Sequence, residues 1–150
     1  MLKTEHSVVI DAPVEEVFAY ATDPEHVPEY YTDVSEVKDL RRLPNGGYAG
    51  TFVPLDLPVE TIEFVPNERI VLRGNWCGPM DDVTITTTFD RLDSDRTRVT
   101  SHEEHTFHGG FFARIGEKST SKYLDHAAEM TMAALKTRIE AETLAAAAPS

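Results

Sequence analysis

"VVIDAPVEEVFAYATDPEHVPEYY", residues 8–31, decides the fold. The run 4–10 is rich in Val and Ile and alternates loosely, as a strand does. Asp11-Ala12-Pro13 stops it. Asp11 is a candidate N-cap, and Pro13 suits a first helical turn, where its missing N–H breaks no bond. Val14, Val17, Phe18 and Ala21 fall at helical spacing, so residues 13–21 read as a short amphipathic helix. Thr22-Asp23-Pro24 repeats the stop and restart. Residues 24–30 then read as a second short helix, limited by Pro28, with Val27, Tyr30 and Tyr31 on its apolar side.

From residue 33 onward the apolar period becomes two. Strands are expected at 34–43, 48–53, 59–65, 69–76, 82–92 and 97–107. Asn45-Gly46-Gly47 marks a hairpin, Pro66-Asn67-Glu68 and Asp93-Ser94-Asp95 mark turns, and Pro54 and Pro58 fit a bend or a sheet edge. Brief connections imply antiparallel meander pairing. After His108-Gly109-Gly110, residues 112–145 contain no proline and read as one long helix. Its expected apolar stripe is Tyr123, Ala127, Met130 and Ala134, flanked by Leu124, Ala128, Leu135 and Ile139.

A chain of 150 residues favours one domain, and 41% hydrophobic content is ordinary for a globular fold. The lone Cys77 cannot close an internal disulfide. No run approaches the length of a membrane span, and the first residues lack the apolar region of a signal peptide. A cytoplasmic protein is expected. With 26 acidic against 14 basic residues the net charge is −12, which argues against nucleic acid and anionic membrane surfaces. Such acidity reads either as a solvated, soluble surface or as adaptation to a salty cytoplasm.

The element order is one strand, two short helices, six strands and one long helix. The fold class is α+β: a strongly curved seven-stranded antiparallel sheet wrapped around the long C-terminal helix. One helix, about 10–12 Å wide, cannot fill that concavity. A cavity is expected between helix and sheet, capped by the short helices.

Several phrases carry a family resemblance: "IDAPVEEVFAYATDP" (10–24), "VETIEFVPNERIVLR" (59–73) and "RLDSDRTRVTSHEEH" (91–105). With the element order they make nearly the whole chain resemble the START-like, helix-grip (SRPBCC) superfamily. Within it the chain most resembles the polyketide cyclase/dehydrase and lipid-transport family. "HVPEYYTDVSEV" (26–37) is also similar to coenzyme Q-binding START proteins. The resemblance implies a hydrophobic ligand such as a lipid, quinone or polyketide, and it implies no metal. It places the Tyr30–Tyr31 segment at the cavity mouth, where a hydroxyl can bind a carbonyl or phenol. It does not distinguish binding from catalysis.

Candidate chemistry is sparse. In "HEEH", His102 and Glu104 point to one face of a strand and Glu103 and His105 to the other, too few ligands per face for a usual zinc site. There is no nucleophile elbow, P-loop or dinucleotide fingerprint, and no cofactor is expected. If Val83, Ile85, Thr87 and Phe89 face the helix, then Thr97, Val99, Ser101, Glu103 and His105 line the same side. Glu103 and His105 are then candidate acid and base, with Tyr30 as a further catalytic candidate; water at the sheet rim is the competing reading of the pair. Arg73 reads as an outward surface residue. The expected ligand wall comprises Tyr30, Tyr31, Phe52, Phe64, Trp76, Phe89, Phe107, Phe111, Tyr123 and Met130, all of which are core residues on the simplest reading.

Binding of one hydrophobic small molecule is the function expected. A cyclase or dehydratase using Tyr, His and Glu groups is the alternative, and a co-chaperone-like role finds no support in an exposed amphipathic extension.

Overall fold

Period-two patterning becomes one antiparallel sheet in a computed structural model that describes residues 2–75, 80–107 and 111–147, with side chains for 2–75, 82–106 and 122–147. In chain order the strands are β1 (Leu2–Ile10), β2 (Glu36–Arg42), β3 (Tyr48–Val53), β4 (Leu57–Val65), β5 (Arg69–Asn75), β6 (Met80–Asp93) and β7 (Arg96–Phe107). The helices are α1 (Val14–Ala21), α2 (Val27–Tyr30) and α3 (Phe111–Ala147). The seven strands follow the order β1-β7-β6-β5-β4-β3-β2, a meander whose first strand pairs with its last. This is the helix-grip architecture: a curved sheet grips α3, and α1 and α2 follow β1.

The chain between β1 and β2 departs from the expected helix pair in instructive ways. Pro13, not Asp11, occupies the N-cap of α1, and no side chain caps that end. Asp11 instead donates its backbone N–H to Glu140 of α3 at 2.9 Å. The second helix is split. Pro24–His26 forms a 3₁₀ turn, capped by Asp23 accepting from the Glu25 N–H at 3.0 Å, and α2 follows at Val27. Pro28 sits at the start of α2, where its lack of an N–H does no harm.

Two strands carry irregularities that no alternation rule supplies. Register shifts between Thr61 and Glu63 of β4, so Ile62 stands 46% exposed while Phe64 packs on the core. Pro58 lies inside β4 rather than at a bend, but pairing with β5 begins only at Val59. The Asn45-Gly46 turn has φ +99° at Gly46, and a Cβ there would meet the Phe64 ring at 2.8 Å. Glycine is required at that point on both counts.

One apolar cluster joins the inner sheet face to all three helices. Ile10, Val17, Val27, Phe52 and Ile139 are almost wholly buried. The buried face of α3 is Leu124, Ala128, Met132, Leu135 and Ile139, so the expected stripe is rotated. Tyr123 and Met130 are 56% and 46% exposed. The rotation follows from tethers to β1: His6 Nε2 meets Asp125 Oδ1 at 2.9 Å, and Lys136 Nζ donates to the Val9 carbonyl at 2.8 Å. Among the described residues, no helix is long and apolar enough to cross a membrane.

Candidate functional site

The inner faces of β6 and β7 carry the site because their register aligns alternate residues. Val83 pairs with His105, Ile85 with Glu103, Thr87 with Ser101, and Phe89 with Val99. These side chains share the concave face. Opposite them α3 presents Leu124, Ala127, Ala128, Thr131 and Met132. Two of these five are alanines, and space remains where they face the sheet. The result is a partly enclosed, mostly apolar cavity of about 90 Å³. Tyr31, Asp33, Phe52 and Leu55 close its remaining sides.

A smaller cavity of about 30 Å³ adjoins it and shares Tyr31, Ser101, Thr131 and Met132 with it. Tyr30, Tyr48, Leu72 and Phe89 complete the smaller one. Larger depressions of about 690 and 610 Å³ lie on the outer sheet surface and beside α1, but they are open to solvent. Enclosure and an apolar wall single out the interior pair as the ligand-site candidate.

The polar groups of the wall are few. His105 is 3% exposed, and among the described residues both its ring nitrogens lack hydrogen-bond partners. Its Nε2 stands 4.0 Å from Glu103 Oε2, and Glu103 accepts from Thr4 Oγ1 at 3.2 Å across the β1–β7 pair. His105 is therefore inside the protein, and the Glu103 side chain beside it is half-buried. Burial pushes the Tyr31 phenol well above its usual range, with the charges of Tyr48 and Glu103 adding to it. Tyr31 thus remains a hydroxyl donor. At the mouth, burial and then the Asp33 carboxylate raise the Tyr123 phenol.

Tyr30 has a different task. Its hydroxyl donates to the Ala21 carbonyl at the end of α1, and burial above all holds its phenol far above the usual range. An engaged hydroxyl of this kind is poorly placed to shuttle protons. Tyr30 stacks obliquely on Tyr31 at 4.9 Å, and Tyr31 on Phe52 at 5.8 Å, which links the α2 segment to β3.

Of the residues expected to hold ligand, Tyr31, Phe52, Tyr123, Glu103 and His105 border the larger cavity, and Tyr30 and Phe89 the smaller. Phe64 does not join them. It packs edge-on against Phe18 at 5.2 Å, on the α1 side of the core. Met130 faces outward because the β1 tethers turn α3 away from it. Trp76 and the side chains of Phe107 and Phe111 lie outside the described residues. Asp33, Leu55, Thr131 and Met132 border the larger cavity without having been singled out. A stripe through residues 124, 128, 131 or 132, 135 and 139 was the available signal for the last two. His102 and Glu104, on the outer face of β7, approach Glu5 at 3.4 Å and Lys3 at 3.6 Å. Among the described residues no group of three His, Cys, Asp or Glu side chains could hold a metal ion.

A curved sheet gripping one long helix around an apolar interior defines a START-like protein. The chain belongs to the polyketide cyclase/dehydrase and lipid transport family, whose model matches residues 1–140. Solved structures agree on the fold. TTHA0849 from Thermus thermophilus is 20% identical with a TM-score of 0.74, covering 93% of this chain and 98% of that one. A START superfamily protein from Mycobacterium smegmatis is 15% identical with a TM-score of 0.69, covering 92% and 97%. The di-domain ARO/CYC BexL from the BE-7585A biosynthetic pathway is 18% identical with a TM-score of 0.76; the match covers 93% of this chain and 47% of BexL. At these identities the likeness is one of fold. No curated protein matches the chain in sequence.

Proposed function

We propose that this protein binds one hydrophobic small molecule in the cavity between the sheet and α3. The observation that carries this reading is a partly enclosed apolar space at the place where a packed core would otherwise continue. Close packing is the rule in protein interiors, and a domain that leaves such a space beside alanines has room for a guest. Family membership supports the same reading. Native mass spectrometry of freshly purified protein, together with titration by the neutral fluorophore N-phenyl-1-naphthylamine, tests it. One saturable site is expected. Absence of both a bound species and saturable probe binding overturns it.

A catalytic reading has one specific observation in its favour: buried His105 and half-buried Glu103 lie side by side in the cavity wall, the imidazole having no hydrogen-bond partner among the described residues. Such a pair can take a proton from the carbon beside a carbonyl and return it elsewhere. A cyclase or dehydratase would use that step. Enzyme-accelerated exchange of solvent deuterium into the α-carbon of a 3-oxo ester, abolished in the double variant His105→Phe, Glu103→Gln, is the result that would favour catalysis. Exchange at the uncatalysed rate would leave binding alone.

A further inference from the structure

The wall of the larger cavity has a definite charge character. Among the described residues, no Lys or Arg borders either cavity, whereas Asp33 and Glu103 border the larger one. A ligand carboxylate would enter beside two acidic side chains and, among the described residues, without a fixed cation to pair with.

His105 supplies the opposite half of the argument. A neutral imidazole has one N–H donor and one acceptor nitrogen. Neither nitrogen has a hydrogen-bond partner among the described residues, although the residue is 3% exposed. Native interiors rarely leave such groups unsatisfied, and the Glu103 contact is longer than a hydrogen bond. A hydroxyl can donate to one imidazole tautomer and accept from the other. A carbonyl can serve only the tautomer that presents N–H.

We infer that the ligand is an uncharged molecule bearing a hydroxyl, that His105 hydrogen-bonds this hydroxyl, and that Glu103 and Asp33 exclude lipids ending in a carboxylate. This rests on the cavity being the ligand site, as proposed above.

Equilibrium dialysis of the full chain at neutral pH against naphthalene, 2-naphthol and 2-naphthoate separates these claims. 2-Naphthol should bind about ten-fold tighter than naphthalene, the worth of one satisfied hydrogen bond. 2-Naphthoate should bind weakest of the three. His105→Phe should erase the advantage of naphthol over naphthalene while naphthalene still binds, and His105→Gln, which keeps a donor and an acceptor, should restore part of it. Glu103→Gln should raise naphthoate affinity. Naphthoate binding as tightly as naphthol overturns the inference, and so does a naphthol advantage that survives in His105→Phe. Where His105→Phe fails to fold, Glu103→Gln decides, and undiminished rejection of naphthoate overturns it. If none of the three compounds binds, the cavity is not the ligand site and both readings fall.

Discussion

Tyr30 has an architectural role besides its place in the wall of the smaller cavity. Its hydroxyl satisfies the Ala21 carbonyl, and its ring closes the core under α1. Tyr20 beside it donates to Glu29 and stacks on His26 at 4.0 Å. Together they hold the bend between α1 and α2. Tyr30→Phe leaves the Ala21 carbonyl buried without its donor, and urea unfolding should register a loss of about 1–2 kcal/mol. Binding of N-phenyl-1-naphthylamine by the folded variant should change little. Gly46 belongs to the same scale. Its positive φ and the Phe64 ring at 2.8 Å make Gly46→Ala destabilising by about 1–3 kcal/mol, measurable in the same unfolding experiment.

At the scale of elements, α3 is the decisive piece, and its rotation sets which side chains meet the cavity. Leu135→Ala removes a side chain that is 2% exposed and should cost about 2–5 kcal/mol. Met130→Ala, on the outward side, should stay within about 0.5 kcal/mol in the same thermal melts. The polar clamp to β1 has a pH signature. Burial alone would raise the Glu140 carboxyl, but the hydrogen bond with Lys136 and the Asp11 N–H outweigh it and hold the group below its ordinary 4.5. A depressed carboxylate stabilises the fold above its ordinary value, and the contribution disappears as pH falls through the folded value. Wild type should therefore melt higher than Glu140→Gln near pH 7, and the gap should close as melts are taken below pH 4.5.

At the scale of the whole molecule, the cavity exists because α3 places alanines opposite β6 and β7. Ala128 is 8% exposed and borders the larger cavity. Ala128→Leu should extend apolar atoms into that space, lower probe affinity by about ten-fold or more, and leave the melting temperature unchanged or raised. A drop in both stability and affinity would instead mean that no room lies beside Ala128. The large negative charge belongs to the exterior: ion pairs such as Arg91–Glu15 and Arg96–Asp93 lie at exposed positions, where they contribute little to stability.

The arrangement of strands, the two short segments after β1 and the long last helix were all readable from residues alone. Each rests on local causes: alternation, prolines 13, 24 and 28, and the Asn45-Gly46 turn. The shared inward face of residues 83–89 and 97–105 was also legible, because antiparallel alternation carries it. What the linear order could not hold was phase. The register shift in β4 puts Ile62 and Phe64, which plain alternation would leave on one face, on opposite faces, and the tethers to β1 turn α3 away from Met130. An alanine-rich helix gives a weak preference for any face, so distant partners choose the face. The environment of His105 is likewise a tertiary fact: its neighbours in sequence say nothing about whether a partner reaches its ring, and only the packed interior leaves both nitrogens without a hydrogen bond among the described residues.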